Sequence, residues 1–290
     1  MMQRPLIAGA IALLVLIWGT TWAVIRLGLE GVPPFAGVSL RFLLAAAILL
    51  LLARPLGVPD QRGPLLYRIW LVQTTFSFCV SYGVVYWAEQ WVPSGLASIV
   101  FATMPLFVAL FAHWRLPAEP LRLGQLAGVV GGFLGVVVLF SDDLTLAARS
   151  EILVPAVALL VSPIAAATAH VYVKKWGSGI HPMNVITVPM MLTGAAMGAL
   201  SLIVETDRSI KLDFQSVGAL LYLAILGSVV TFTVYYWVLE RIAATRLALI
   251  TLAIPMVAVL VGTVFLDEPF SARTAAGAAL VLVGVGVASR

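Results

Sequence analysis

Apolar residues run along this chain in blocks of about twenty, broken by short polar, glycine- or proline-bearing punctuation. The blocks fall near residues 6–28, 35–53, 66–88, 94–114, 121–140, 152–173, 183–204, 216–239, 246–266 and 272–288. A helix needs roughly 20 apolar residues to cross the hydrocarbon core of a bilayer, so the pattern predicts ten membrane-crossing helices. Strands of a membrane barrel alternate in polarity residue by residue, and no such alternation occurs. The longest connection, RPLGVPDQRGPLLYR between the second and third blocks, has no room for a soluble domain. The first block follows a basic start and is too long for a cleaved signal, so it reads as the first span.

The pattern also repeats. The stretch VYWAEQWVPSGLASIVFATMP, from residue 85, is echoed by YYWVLERIAATRLALITLAIP from residue 235, pairing Tyr86-Trp87 with Tyr236-Trp237 and Pro105 with Pro255. An offset of 148 pairs Arg26 with Lys174, Gly31 with Gly179 and Pro34 with Pro182. An offset of 149 pairs Glu119-Pro120 with Glu268-Pro269, Gly128 with Gly277 and Gly135 with Gly284. The expected organisation is two five-helix units, residues 1–145 and 146–290. Five is odd, so the second unit enters the membrane from the opposite side. The predicted fold is an all-α membrane protein of ten transmembrane helices in two inverted five-helix repeats, an arrangement from which transporters build two access states.

Composition sharpens this. Of the 290 residues 62% are hydrophobic and 10% charged, against about 25% charged in a soluble domain. The formal charge of +4 is spread over short loops and forms no stripe, which excludes a nucleic-acid partner. With the N-terminus in the cytoplasm, eleven lysines and arginines lie on the cytoplasmic side and five outside. That bias places both termini in the cytoplasm of a multi-pass protein of the cell (inner) membrane. Cys79 is the only cysteine, so no intramolecular disulfide forms, and no metal or cofactor is expected. The expected partners are the lipid bilayer and a small-molecule substrate; the sequence leaves the oligomeric state open, and a monomer is compatible with it.

Trp18-Gly19 in the first block, Pro33-Pro34 before a second block containing Arg41-Phe42, Pro105 in the fourth, and the Glu-Pro pairs opening the fifth and tenth are similar to the EamA family of the drug/metabolite transporter superfamily. The resemblance covers essentially the whole chain; one departure is Arg26, where the family often has lysine. It implies a central cavity lined by helices 1–4 and 6–9, with helices 5 and 10 outside. It also implies export of amino acids, aromatic ones among them, or of other small metabolites.

Polar side chains within a span should face the bundle interior or a water-filled cavity. At about 100° per residue, Gln73, Thr74, Ser77, Ser81, Tyr82 and Tyr86 share one side of helix 3, and Ser228, Thr231, Phe232 and Tyr235 share one face of helix 8. Hydroxyls beside rings suit a ligand with an apolar or aromatic body and a polar end; the alternative is hydrogen bonding between helices. Ser98 and Thr103 add hydroxyls in helix 4. Pro105 and Pro255 each withhold a hydrogen bond from a carbonyl four residues earlier, on Phe101 and Thr251, and are candidate hinges. His170, at the repeat position of Trp22, and Trp18 complete the candidate substrate-binding set. Arg41 either snorkels outward or offers a cation to a substrate carboxylate.

All thirteen carboxylates fall in loops or at helix ends. A proton-coupled exporter of cationic drugs normally needs a buried carboxylate that binds proton and cation in turn, so the expected substrate is neutral overall and facilitated movement is favoured. The leading expectation is a transporter exporting neutral or aromatic amino acids and related metabolites by alternating access. The alternatives are a broad exporter of drugs or organic cations and, remotely, an intramembrane enzyme. The last lacks both a nucleophile–base pair on facing helices and membrane aspartates.

Overall fold

The computed structural model describes residues 3–139, 150–265 and 272–288, and its elements are helices. The boundary between residues 145 and 146, Asp142, Asp143, Arg149, Asp267, the Glu268-Pro269 pair and Arg290 lie outside the described residues, as does the side chain of Arg273. Seven helical stretches are long and apolar enough to cross a membrane: Arg4–Leu29, Pro34–Ala53, Pro64–Ala88, Ser94–Arg115, Glu151–Trp176, Pro182–Val204 and Phe214–Arg241. Three shorter apolar helices, Leu123–Val138, Ala244–Val257 and Ala275–Ala288, coincide with the remaining predicted blocks.

The individual helices are α1 (Gln3–Leu29), α2 (Pro34–Ala53), α3 (Pro64–Val72), α4 (Ser81–Ala88), α5 (Ser94–Phe101), α6 (Met104–Arg115), α7 (Leu123–Leu139) and α8 (Ser150–Leu159). They continue as α9 (Val161–Trp176), α10 (Pro182–Val204), α11 (Phe214–Ala224), α12 (Thr231–Arg241), α13 (Ala244–Ala248), α14 (Ile250–Phe265) and α15 (Ala272–Ala288). Proline opens α2, α3 and α10, where its fixed φ favours a helix start and its missing N–H has no partner to lose. Two π-helical stretches, Gln73–Val80 and Ile225–Val230, join α3 to α4 and α11 to α12. Such widened turns are rare and concentrate at functional sites.

Helices α7 and α15 pack along each other through glycine. A Cβ on Gly284 would meet the Gly128 carbonyl at 2.6 Å, and one on Gly135 would meet the Val281 amide at 2.6 Å. With no hydrophobic driving force between helices in lipid, such close backbone approach is a main source of packing energy. Helices α2 and α10 form a second tight pair, in which the Ser39 hydroxyl donates to the Gly194 carbonyl at 2.7 Å.

Polar clamps tie the bundle at both ends. At one, the Glu205 carboxylate accepts the Phe35 and Ala36 amides at 2.9 and 3.0 Å, capping α2, and the Lys211 amide donates to the Gly31 carbonyl at 2.8 Å. At the other, Glu119 accepts the Ala244 and Thr245 amides at 3.1 and 3.2 Å, capping α13. Carboxylates are favourable at helix N-termini, where they meet orphan N–H groups and the positive end of the dipole. Cations hold the complementary ends. Arg26 donates to the carbonyl of Glu89 just past α4, and Lys174 donates to the carbonyls of Leu239 and Ile242 at the end of α12, at 2.7 and 2.8 Å.

Candidate functional site

A cavity of about 70 Å³ lies within the bundle, walled by α1, the middle of the first π stretch and α4, α5, α6, α9, α12, α13 and α14. Trp18, Thr21, Trp22 and Ile25 of α1 line it at the i, i+3, i+4, i+7 spacing of one helical face. Opposite them stand Ser77, Ser81, Tyr82 and Val85, and His170, Phe232 and Tyr235 complete much of the wall. Among the described residues that line it there is no carboxylate, lysine or arginine.

The walls are largely aromatic. Trp18 packs against Phe232 and Tyr235 with ring centroids 5.8 and 5.4 Å apart, and Trp22 meets Phe101 edge-on at 5.5 Å. Such tilted and T-shaped pairs match the ring quadrupoles and fix the side chains in place. The Tyr235 hydroxyl pairs with Nδ1 of His170 at 3.0 Å. Nε2 of His170 and Nε1 of Trp18 have no hydrogen-bond partner among the described residues, and both atoms are closed off to a water molecule.

Behind Tyr82 sits a second polar group. Arg41 is fully buried, so it does not snorkel. Its Nε donates to the Ser228 hydroxyl at 2.8 Å, Nη1 to the Tyr86 hydroxyl at 3.2 Å and Nη2 to the Gly227 carbonyl at 2.7 Å. The guanidinium also lies 4.8 Å from the Tyr82 ring centre and 5.4 Å from that of Phe42. No carboxylate pairs with it among the described residues. The cation is held by dipoles and ring faces, the latter worth about 2 kcal/mol or more when desolvated.

Six of the sequence-predicted residues line the cavity: Trp18, Ser77, Ser81, Tyr82, His170 and Tyr235. The others lie elsewhere. Tyr86 and Ser228 hold Arg41, and Gln73 donates to the Tyr236 hydroxyl. Ser98 and Thr103 bond back to the carbonyls of Gly95 and Val100, each at 2.7 Å. Thr231 is fully buried without a hydrogen-bond partner for its hydroxyl. Pro105 sits in the first turn of α6, after a break at Ala102-Thr103, whereas Pro255 lies inside α14, six residues after the break at Leu249. Phe101 and Thr251, four residues before these prolines, both line the cavity; Pro255 withholds a donor from Thr251, whereas Pro105, in the first turn of its helix, has no intrahelical bond to withhold.

Three features went unread in the sequence. Thr21, Trp22 and Ile25 share the α1 stripe with Trp18, and their spacing was signal enough. Helices α2 and α10 contribute no lining residue, although the family resemblance implies that they should; they are engaged with each other instead. Glu89 corrects the expectation that no carboxylate is buried. It caps the end of α4, yet it is fully buried and neither carboxylate oxygen has a hydrogen-bond partner. Glu89 does not line the cavity.

Comparison with known proteins accords with this picture. The EamA-like transporter family matches residues 6–141 and 153–290. The uncharacterized transporter YoaV of Bacillus subtilis (strain 168) is 25% identical over 274 residues, 93% of this chain and 92% of its own length. The uncharacterized inner membrane transporter YedA of Escherichia coli (strain K12) is 32% identical over 261 residues, covering 88% of this chain and 81% of its own. A solved crystal structure superposes with a TM-score of 0.83 at 22% identity, over 99% of this chain and 98% of that one.

Proposed function

Because the chain belongs to the EamA-like transporter family and is a multi-pass membrane transporter of the drug/metabolite superfamily, we propose that it exports neutral or aromatic amino acids and related small metabolites by alternating access. The carrying observation is the cavity itself: ring-lined, with no charged side chain among the described residues of its wall, and assembled from helices of both halves of the chain. An aromatic body gains burial against Trp18, Phe232 and Tyr235, and a zwitterion adds no net charge to the low-dielectric interior. The Thr251 carbonyl, from which Pro255 withholds a donor, suits an ammonium group, as in other transporters with interrupted helices.

We read the architecture as ten spans in two inverted repeats, residues 1–145 and 146–290. Supporting this, the π stretches end at Val80 and Val230, 150 residues apart and in register with the Tyr86/Tyr236 pairing. Arg26 and Lys174, paired in the sequence, cap corresponding helices at opposite ends of the bundle. A narrow chamber between clamped ends suits an intermediate between two open states. Both termini then face the cytoplasm of the cell (inner) membrane.

Transport runs down the substrate's own gradient on this reading, since Glu89 stands outside the cavity and cannot bind proton and substrate in turn there. The same geometry disfavours export of organic cations, which would need an acid in the wall. Reconstituted proteoliposomes test both points. Labelled phenylalanine or leucine should exchange across the membrane with the pH gradient collapsed. Flux of dyes or quaternary amines without amino-acid flux would reverse the assignment, and strict dependence on a proton gradient would remove facilitated movement.

A further inference from the structure

We propose that the cavity contains a carboxylate subsite formed by Trp18 Nε1 and His170 Nε2, with Tyr235 positioning the imidazole. The proposal deepens the amino-acid reading and rests on it for the rest of the ligand.

Buried polar atoms in native proteins are nearly always paired, and each exception calls for a cause. Trp18 Nε1 and His170 Nε2 are two such exceptions among the described residues; both residues line one cavity, and since neither atom is itself open to it in this state, a bound carboxylate engages them once the two side chains turn toward it. Both also pack against the same ring, Tyr235, with centroids 5.4 Å away for Trp18 and 4.7 Å for His170. An indole N–H can only donate. When the Tyr235 hydroxyl donates to Nδ1 of His170, the imidazole proton resides on Nε2, which then also donates. Two unfilled donors on side chains that line one cavity and pack on one tyrosine ring call for an acceptor with more than one lone pair, and a carboxylate supplies several.

The surrounding field favours the same charge. The Arg41 guanidinium makes no salt bridge with a carboxylate among the described residues, the buried Glu89 acting on it only from a distance, and is separated from the cavity by the Tyr82 ring on which it stacks. Among the described residues no lining side chain carries negative charge to oppose it. Arg41 therefore acts on the ligand across Tyr82 by its field, and the direct bonds fall to Trp18 and His170. The reverse polarity, with Nδ1 protonated and Nε2 accepting, would select an amine and is separable by ligand choice.

The experiment compares four ligands of one shape on purified wild-type protein: L-phenylalanine, 3-phenylpropanoate, phenylalaninamide and phenethylamine. Binding is read by thermal stabilisation and by competition with labelled phenylalanine uptake into proteoliposomes. Loss of a hydrogen bond to a charged group costs at least about tenfold in affinity. The two acids should therefore bind at least about tenfold more tightly than the amide and the amine. Trp18→Phe keeps the ring and removes the donor, and His170→Asn keeps a partner for Tyr235 while removing Nε2. Each should raise the half-saturating phenylalanine concentration about tenfold and leave the weak competition by amide and amine unchanged; His170→Gln, which restores a donor near Nε2, should recover much of the loss.

Amide and amine binding as well as the acids would overturn the subsite, as would an equal loss for all four ligands in both Trp18→Phe and His170→Asn. Preference for the amine over 3-phenylpropanoate would establish the reverse polarity and overturn it too. Tight binding of 3-phenylpropanoate with no flux of any amino acid would remove the amino-acid reading and leave the carboxylate subsite standing.

Discussion

Two sets of polar atoms lie on either side of the Tyr82 ring, and the fold treats them oppositely. On one side the Arg41 guanidinium is bonded to Ser228, Tyr86 and the Gly227 carbonyl, each interaction linking α2 to another part of the bundle. On the other side Trp18 Nε1 and His170 Nε2, on residues that line the cavity, have no partner among the described residues. Unpaired polar atoms away from water cost about 1–3 kcal/mol each. The first set thus carries stability. The second stores a debt that a ligand can settle, and for that reason belongs to function.

Substitutions can break this division. Arg41→Met should do the most damage: it removes three hydrogen bonds, leaving the Tyr86 hydroxyl without this donor, the Gly227 carbonyl likewise, and Ser228 only its bond to the Leu223 carbonyl, a loss of about 3 kcal/mol or more. A large fall in melting temperature of the detergent-solubilised protein checks this; an unchanged melt would show that Arg41 is not the structural centre. Gly284→Val should come next, because its Cβ would meet the Gly128 carbonyl at 2.6 Å and force α7 from α15, costing about 1–3 kcal/mol. Its half-saturating substrate concentration should stay that of the wild type, since neither helix lines the cavity. Ser228→Ala, removing one bond to Arg41, should cost about 1 kcal/mol with specificity retained. Glu205→Gln weakens the cap on α2 and should cost about 0.5–2 kcal/mol, again read as a lower melt. Altered ligand preference in Ser228→Ala or Glu205→Gln would blur the comparison, because structural atoms would then be reading the substrate.

Much of this was legible in the sequence, for a definite reason. Twenty-residue apolar blocks have few alternatives to a helix in a bilayer, and polar residues within them must turn inward. That logic found Trp18, Ser77, Ser81, Tyr82, His170 and Tyr235 on the cavity wall. It could not separate Ser77 from Ser228, because both occupy inward faces of corresponding helices and differ only in what lies opposite. Ser228 meets Arg41 from another helix, 187 residues away in the chain. Arg41 itself was ambiguous for the same reason: its depth in α2 is compatible with snorkelling until its partners are known. Glu89 stands where a helix ends, the usual place for a solvated carboxylate, and only the packing of its neighbours buries it. The π turns have no sequence signature of comparable strength. Helical face and depth are local properties; partnership is not.

Equilibrium binding of labelled L-phenylalanine to Ala166→Leu, set beside the wild type and Ser228→Ala, tests the cavity claim most directly. Ala166 is a small residue in the cavity wall, and three added carbons there occupy the space assigned to the ligand. Saturable binding should vanish in Ala166→Leu while the protein stays folded, and should persist in Ser228→Ala despite its lower melting temperature. Wild-type affinity in a folded Ala166→Leu would place the ligand outside this cavity and contradict the account.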